Sequence, residues 1–157
     1  MSKITDMHRL IRHYREKTGE SAVDMHKIAA FAVKEGWPLP KPKSPLDLLA
    51  SQFSKAARQE TKIDAETGNP YRVNHALPSK KGSQGSLWID IDTATRSQMH
   101  TSLTLRREQT VGDMVQLTFD TDHWNAVNPD KQELFMDPDM TFDVELRKAG
   151  DDMDDVG

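Results

Sequence analysis

Basic and amide side chains share one arc of a helix that is predicted over residues 45–60. At about 100° per residue, this arc contains no acid and carries Gln52, Lys55, Arg58 and Gln59, with Lys62 just beyond it. Lysine and arginine bind phosphates or a guanine edge, and glutamine can reach adenine. The pattern therefore predicts a nucleic-acid contact, against the equal alternative of an ordinary solvated helix face.

Two further lysines, Lys80 and Lys81, lie in a segment rich in serine and glycine over residues 78–86. Its two glycines, Gly82 and Gly85, would let a hairpin tip extend outward. A basic tip of this kind would follow a groove or a phosphate backbone. The alternative is a soluble loop without a ligand.

Carboxylates in the second half of the chain raise the question of a Mg²⁺ or Mn²⁺ site, because hard cations prefer oxygen ligands. The candidates are Asp120, Asp122 and His123, joined by Asp90 and Asp92 or by Asp137 and Asp139. On a helix Asp120 and Asp122 would point about 200° apart, which prevents joint chelation. We therefore expect no metal site, no cofactor and no catalysis.

Other catalytic classes lack their residues or motifs. The chain has no cysteine, which excludes disulfides, thiolate metal sites and cysteine nucleophiles and is in keeping with a reducing cytoplasm. It contains no HExxH motif, P-loop, dinucleotide fingerprint or nucleophile elbow. No membrane span or signal peptide is apparent, so we expect a cytoplasmic protein.

Charge is unevenly divided along the chain. Residues 1–82 contain 15 lysines and arginines against 9 acids, a net of +6, and residues 83–157 carry the remaining −10. The last residues, 150–157, have no apolar periodicity and predict a disordered acidic tail. A basic first part favours nucleic-acid contact, whereas the acidic part could instead engage a basic protein surface.

Local signals place three helices first. Thr5 is a predicted N-cap for a helix over residues 5–18 with a stop at Gly19, and a capping box at Ser21 and Asp24 begins a second helix that ends near Glu35. Alternating prolines form an extended link before the third helix, residues 45–60. One arc of that helix is apolar and is predicted to face the core; it contains Leu46, Leu49, Phe53, Ala56 and Ala57.

Strands and a long helix follow. Alternation predicts strands over residues 71–77 and 87–92, after a turn at residues 67–70. Helical periodicity then runs over residues 93–125 with Gly112 inside it, which fits one long helix or two shorter ones. We predict that its broad apolar side binds a partner or a second copy through Met99, Val111, Met114 and Trp124. A short strand is predicted over residues 133–136, and residues 141–146 fit strand or helix.

Three helices followed by a hairpin with a basic loop resemble a winged-helix domain, over residues 5–92. The resemblance rests on Gly36, the proline link, the helix from Ser44, and the turn from Thr67 to Arg72. The link of residues 37–43 is longer than the turn of a standard helix-turn-helix. Residues 105–128 resemble uncharacterised bacterial and phage proteins.

The sequence thus predicts an α+β protein with a winged-helix domain over residues 5–92, a helical appendage over residues 93–149 and a tail over residues 150–157. The resemblance implies non-catalytic binding of double-stranded DNA through the third helix and the basic loop. The alternative is an inhibitor or adaptor from a phage or mobile element that uses its acidic half to engage a basic partner.

Overall fold

The computed structural model describes residues 2–79 and 86–150, and mixed helix and strand confirm the α+β class. Predictions for Lys80, Lys81 and the tail beyond Gly150 lie outside the described residues. The elements are α1 (Lys3–Thr18), α2 (Met25–Lys34), α3 (Pro45–Gln59), β1 (Thr61–Ile63), β2 (Pro70–Arg72), β3 (Asn74–Pro78), β4 (Ser86–Asp90), α4 (Arg96–Val127) and α5 (Thr141–Lys148).

The chain forms two compact units, Met1–Ser51 and Gln52–Gly157, and α3 contributes residues to both. The predicted ranges 5–92, 93–149 and 150–157 stay predictions about domains. Even α4, the longest helix of the described part, lacks the apolar length needed to traverse a bilayer, and so do the other described helices.

The first unit contains a contact between α1 and α2 with a small, partly aromatic core. Tyr14 is buried and meets the ring of Phe31 edge to face, with 5.4 Å between ring centroids. Ile28 and Ala32 are the buried residues of α2. The contact between α1 and α2 therefore buries Tyr14, Ile28 and Ala32, whereas Met25 and Val33 on α2 stay exposed.

Caps explain where these helices begin and end. Ser2, not Thr5, caps α1, because the Ser2 hydroxyl accepts from the Thr5 N–H, while Gly19 ends the helix at φ 73° as predicted. Asp24 alone caps α2 through the His26 N–H, so the predicted capping box at Ser21 is wrong. A side chain one turn earlier could satisfy the same orphan N–H groups, and spacing does not distinguish the two.

The prediction that the apolar arc of α3 is buried is wrong. Leu46, Leu49 and Phe53 are 76%, 48% and 68% exposed, and α3 contains no buried residue. Its start is as predicted, since the Ser44 hydroxyl accepts from the Asp47 N–H ahead of the Pro45 turn. Periodicity identifies residues that share a face, but it does not identify what covers that face.

Two antiparallel hairpins follow α3, one more than the sequence predicts. The predicted hairpin is confirmed as β3 paired with β4, in a register that places Ala76 opposite Trp88. The additional pair is β1 with β2, joined through the predicted turn, in which Gly68 has φ 73°. Residues 71–77 do not form one strand, because the chain leaves the first hairpin at Val73.

Val73 is the junction between the two hairpins. Its N–H donates to the Glu60 carbonyl and its own carbonyl accepts from the Ile91 N–H, and the side chain is only 5% exposed. These non-local bonds outweigh the local alternation that favours a continuous strand.

A single helix, α4, continues through Gly112. It begins with a capping box in which the Thr95 hydroxyl accepts from the Gln98 N–H and the Gln98 side chain accepts from the Thr95 N–H. The hydroxyl of Ser102, a fully buried side chain, donates to the Ala76 carbonyl over 2.8 Å, which attaches α4 to β3.

The segment after α4 is held by a side chain rather than by a strand. The Asn125 amide donates to the Leu134 carbonyl and accepts from the Leu134 N–H, at 2.8 and 2.9 Å. The strand predicted over residues 133–136 is therefore wrong, because its backbone groups have this amide as partner instead of a second strand. The ambiguous segment that follows is the helix α5.

Candidate functional site

A groove of about 780 Å³ lies in the second unit. The C-terminal half of α3, the strands β2, β3 and β4, and the middle of α4 form its walls. We call it the arginine groove; it is lined by Arg58, Arg72, Asn74, Ala76, Trp88, Leu103, Arg106, Arg107, Gln109, Thr110 and Asp113. Strand alternation explains the floor, since Asn74, Ala76 and Trp88 lie on one face of the β3–β4 hairpin.

The groove is strongly basic. Of the described residues, four arginines line it against one acid, Asp113. Within residues 2–79 and 86–150, neither Arg58, Arg72 nor Arg106 has a carboxylate within 4.0 Å, and Arg107 has only the exposed Glu108 at 3.9 Å. Unpaired guanidinium groups in a concave surface attract and concentrate anions.

Two of these arginines are electrostatically coupled. Partial burial of Arg106, and in second place the positive charge of Arg72, lower the pKa of the Arg106 guanidinium. Both effects oppose the charged form, although an arginine stays protonated at neutral pH. An anion bound by both side chains would relieve the repulsion and replace the lost hydration.

Arg58 and Trp88 also line the groove, and they contact each other. The Arg58 guanidinium carbon lies 5.4 Å from the centroid of the Trp88 ring, a cation–π contact worth about 0.5–1 kcal/mol at an exposed site. Trp88 is half-buried on β4. The contact orients Arg58 without neutralising its charge.

Two buried or half-buried polar side chains, Asn74 and His75, hold the walls together. The Asn74 Nδ2 donates to the Ala57 carbonyl at 3.2 Å and to the Glu60 Oε1 at 2.9 Å, which ties β3 to the end of α3. The buried His75 places its Nε2 2.9 Å from the Arg72 carbonyl. Because a carbonyl only accepts, this bond requires the tautomer with a proton on Nε2.

Comparison with known proteins leaves this site to be interpreted from its own residues. No family model, curated protein or solved structure matches the chain.

The predicted nucleic-acid residues are only partly brought together. Of Gln52, Lys55, Arg58, Gln59 and Lys62, only Arg58 lines the arginine groove; the other four are exposed elsewhere on α3 or on β1. An isolated helix face supplies charge, but the concave site needs a second wall, which β2, β3, β4 and α4 provide.

Sequence reasoning did not include Arg72, Trp88, Arg106 and Arg107 among the site residues. Alternation did indicate that Arg72 and Trp88 lie opposite the apolar side of their strands. The adjacent pair Arg106 and Arg107 in the acidic part of the chain was a further signal, since residues 83–157 contain only 6 basic residues. The division of the chain into a basic and an acidic part concealed this signal, because the groove contains arginines from both parts.

The other candidate sites are dispersed. Among residues 2–79 and 86–150, no three histidine or acidic side chains lie where they could hold a metal ion. The predicted partner surface includes exposed Val111, whereas Met99, Met114 and Trp124 are half-buried, and Lys131 lies 6.0 Å from the Trp124 ring. Partner binding through these four residues stays a prediction.

An apolar groove of about 340 Å³ lies in the first unit, between α1, α2 and the proline link. Leu10, Ile28 and Trp37 are among its lining residues, and Lys3 is the one charged side chain among the lining residues that the structure describes. Such a lining suits hydrophobic contact rather than acid–base or metal chemistry.

Proposed function

We propose that this protein is a non-catalytic DNA-binding protein that holds phosphates in the arginine groove. One observation carries the proposal: four arginines from three elements line a single groove with one carboxylate, and three of them have no ion pair among the described residues. Arginine binds phosphate through two parallel N–H bonds, which makes it the usual residue for this purpose.

The distribution of charge favours a polymer of phosphates over one small anion. Arg58 belongs to α3, Arg72 to β2, and Arg106 and Arg107 are neighbours on α4 that point about 100° apart. A single carboxylate or phosphate would contact only part of this set. A nucleic-acid backbone presents one charge per nucleotide and could use several of these arginines together.

The winged-helix interpretation is part of the proposal. Three helices precede the β3–β4 hairpin, and the groove takes Arg58 from the third helix and Trp88 from the hairpin. In this interpretation Lys80 and Lys81, which lie outside the described residues, add phosphate contacts. The alternative, an acidic half that binds a basic protein, is less favoured because that half contributes Arg106 and Arg107 to the groove.

Fluorescence anisotropy across salt tests the proposal with labelled DNA in duplex and single-stranded form. Wild type should bind at low salt, and affinity should fall linearly in log–log form with salt concentration. Arg72→Ala/Arg106→Ala should remove about two phosphate contacts and lower the magnitude of the slope by about 1.4 to 1.8.

Two double variants serve as controls with the same change of charge. Arg9→Ala/Arg12→Ala changes exposed residues of α1, and Lys55→Ala/Lys62→Ala changes the predicted helix face outside the groove. Both should retain most of the affinity. Failure of wild type to bind either DNA form at low salt, or equal losses in all three double variants, contradicts the proposal.

A further inference from the structure

Among the residues that the structure describes, Trp88 is the one aromatic side chain that lines the arginine groove. It stands on β4 opposite Ala76, whose methyl group is too small to cover an indole ring. Phosphate binding by itself does not require an aromatic ring in the groove. The exposed part of the Trp88 ring is therefore available to a ligand group other than phosphate.

The ring already stacks with a cation, since the Arg58 guanidinium lies over it at 5.4 Å. Tryptophan rings and guanidinium planes are the two groups on which unpaired bases stack in single-strand binding proteins. A duplex presents phosphates and base edges, but its base faces are covered by neighbouring pairs. Only an unpaired base can therefore use the Arg58–Trp88 pair.

The same groove offers groups for the rest of a nucleotide. Arg72 and Arg106, which lack carboxylate partners among the described residues, suit its phosphate. The Asn74 Nδ2 is engaged by Ala57 and Glu60, and the Asn74 amide oxygen has no hydrogen-bond donor in the described part of the chain. That oxygen can accept from the edge of a base.

The size of the groove agrees with this assignment. Its volume of about 780 Å³ falls in the range of sites that enclose small ligands, about 300–1,000 Å³, and suits one or two nucleotides. Because the four arginines come from separate positions, a strand with successive phosphates fits better than a free nucleotide.

We infer that the arginine groove binds unpaired nucleotides of single-stranded DNA, with a base stacked on the Arg58–Trp88 pair and the phosphates held by the remaining arginines. The inference rests on the proposed function and specifies the form of DNA.

Competition and direct binding distinguish the ligands. The probes are an oligothymidine of about 15 nucleotides, a duplex of equal length and thymidine monophosphate, each with the full chain. The oligothymidine should bind most tightly. Trp88→Leu should weaken its binding about 5- to 150-fold, the range expected for one stacked base, and should weaken duplex binding much less, only through the lost contact with Arg58. Trp88→Phe should retain most of the affinity because it keeps an aromatic face.

A fluorescence measurement tests the same contact and does not require Trp88→Leu to fold. The chain has 3 tryptophans, so stacking at one of them can be isolated. Oligothymidine should quench the emission of Trp37→Phe/Trp124→Phe, which retains Trp88, and should leave the emission of Trp88→Phe unchanged.

The two proposals fail in different ways. The single-strand inference is overturned if duplex binds at least as tightly as single strand, or if quenching persists in Trp88→Phe. In either case, loss of affinity in Arg72→Ala/Arg106→Ala would still uphold DNA binding. Tight binding of the mononucleotide alone also overturns it, in favour of a free nucleotide. Absence of binding to every DNA probe overturns both.

Discussion

The hydroxyl of Ser102, in the first half of α4, donates a 2.8 Å hydrogen bond to the carbonyl of Ala76 on β3. Ser102 is 1% exposed, and Arg106 follows one helical turn later on the same side of α4. The bond therefore fixes the distance between the helix that carries Arg106 and the strand that forms the groove floor. It links the stability of the second unit to the geometry of the arginine groove.

Removal of this hydroxyl should destabilise the unit. Ser102→Ala leaves the Ala76 carbonyl without its donor in a buried place, at a cost of about 1–3 kcal/mol in the free energy of unfolding. Urea unfolding measures the loss, and DNA affinity should fall with it. Ser97→Ala, at an exposed position of the same helix, is the matched control and should change stability little. Equal stability of the two variants would contradict a structural role for the bond.

Replacement of Arg72 should separate stability from binding. Arg72→Gln removes the positive charge that acts on the Arg106 guanidinium, so the ligand-free protein should melt at a higher temperature in low salt, and the gain should shrink as salt screens the repulsion. DNA binding should weaken in the same variant. Arg107→Gln, whose side chain has Glu108 as a partner, should weaken binding without the gain in Tm. Calorimetry at two salt concentrations measures the Tm of both variants, and an equal change in Tm for the two would contradict the prediction.

The first unit should lose stability in alkali through Tyr14. Burial, and next the negative charge of Glu20, raise the pKa of the Tyr14 hydroxyl above 10.0; this hydroxyl also donates to the Glu20 carboxylate at 3.3 Å. Because the pKa is raised in the folded state, the stabilisation by the neutral Tyr14 hydroxyl is complete below pH 10.0. It is lost as the pH rises through the pKa of the folded state. Absorbance titration should show one of the 2 tyrosines ionising late, and this late transition should vanish in Tyr14→Phe. Persistence of the late transition in Tyr14→Phe would contradict the prediction.

The double hydrogen bond from Asn125 should protect the segment before α5. Asn125→Ala removes both the donor to the Leu134 carbonyl and the acceptor for the Leu134 N–H. Trypsin should then cleave faster at Lys131, which lies in the released segment, as mass spectrometry of the fragments would show. Gln116→Ala, which loses only an exposed side-chain bond to Asp120, is the control. Unchanged cleavage in Asn125→Ala would mean that other contacts hold the segment.

Local chemistry made part of the fold predictable. Gly19 supplies the left-handed residue that ends α1, Ser44 and Pro45 begin α3, and Gly68 allows the turn between β1 and β2. Each of these signals acts within about four residues, so neighbours along the chain suffice to read it. The β3–β4 hairpin was predictable for the same reason, since alternation and an intervening loop indicate adjacent strands.

The arrangement of the site depended on contacts between distant residues. Val73 divides two strands by bonding to Glu60 and Ile91, and Ser102 brings Arg106 to the groove that already holds Arg58 and Arg72. By itself, the sequence determined the residue types that can bind phosphate, the main helices and one hairpin. Only the tertiary structure decided which basic residues share a groove, because side-chain packing and non-local hydrogen bonds set those distances, and neither leaves a periodic pattern in the chain.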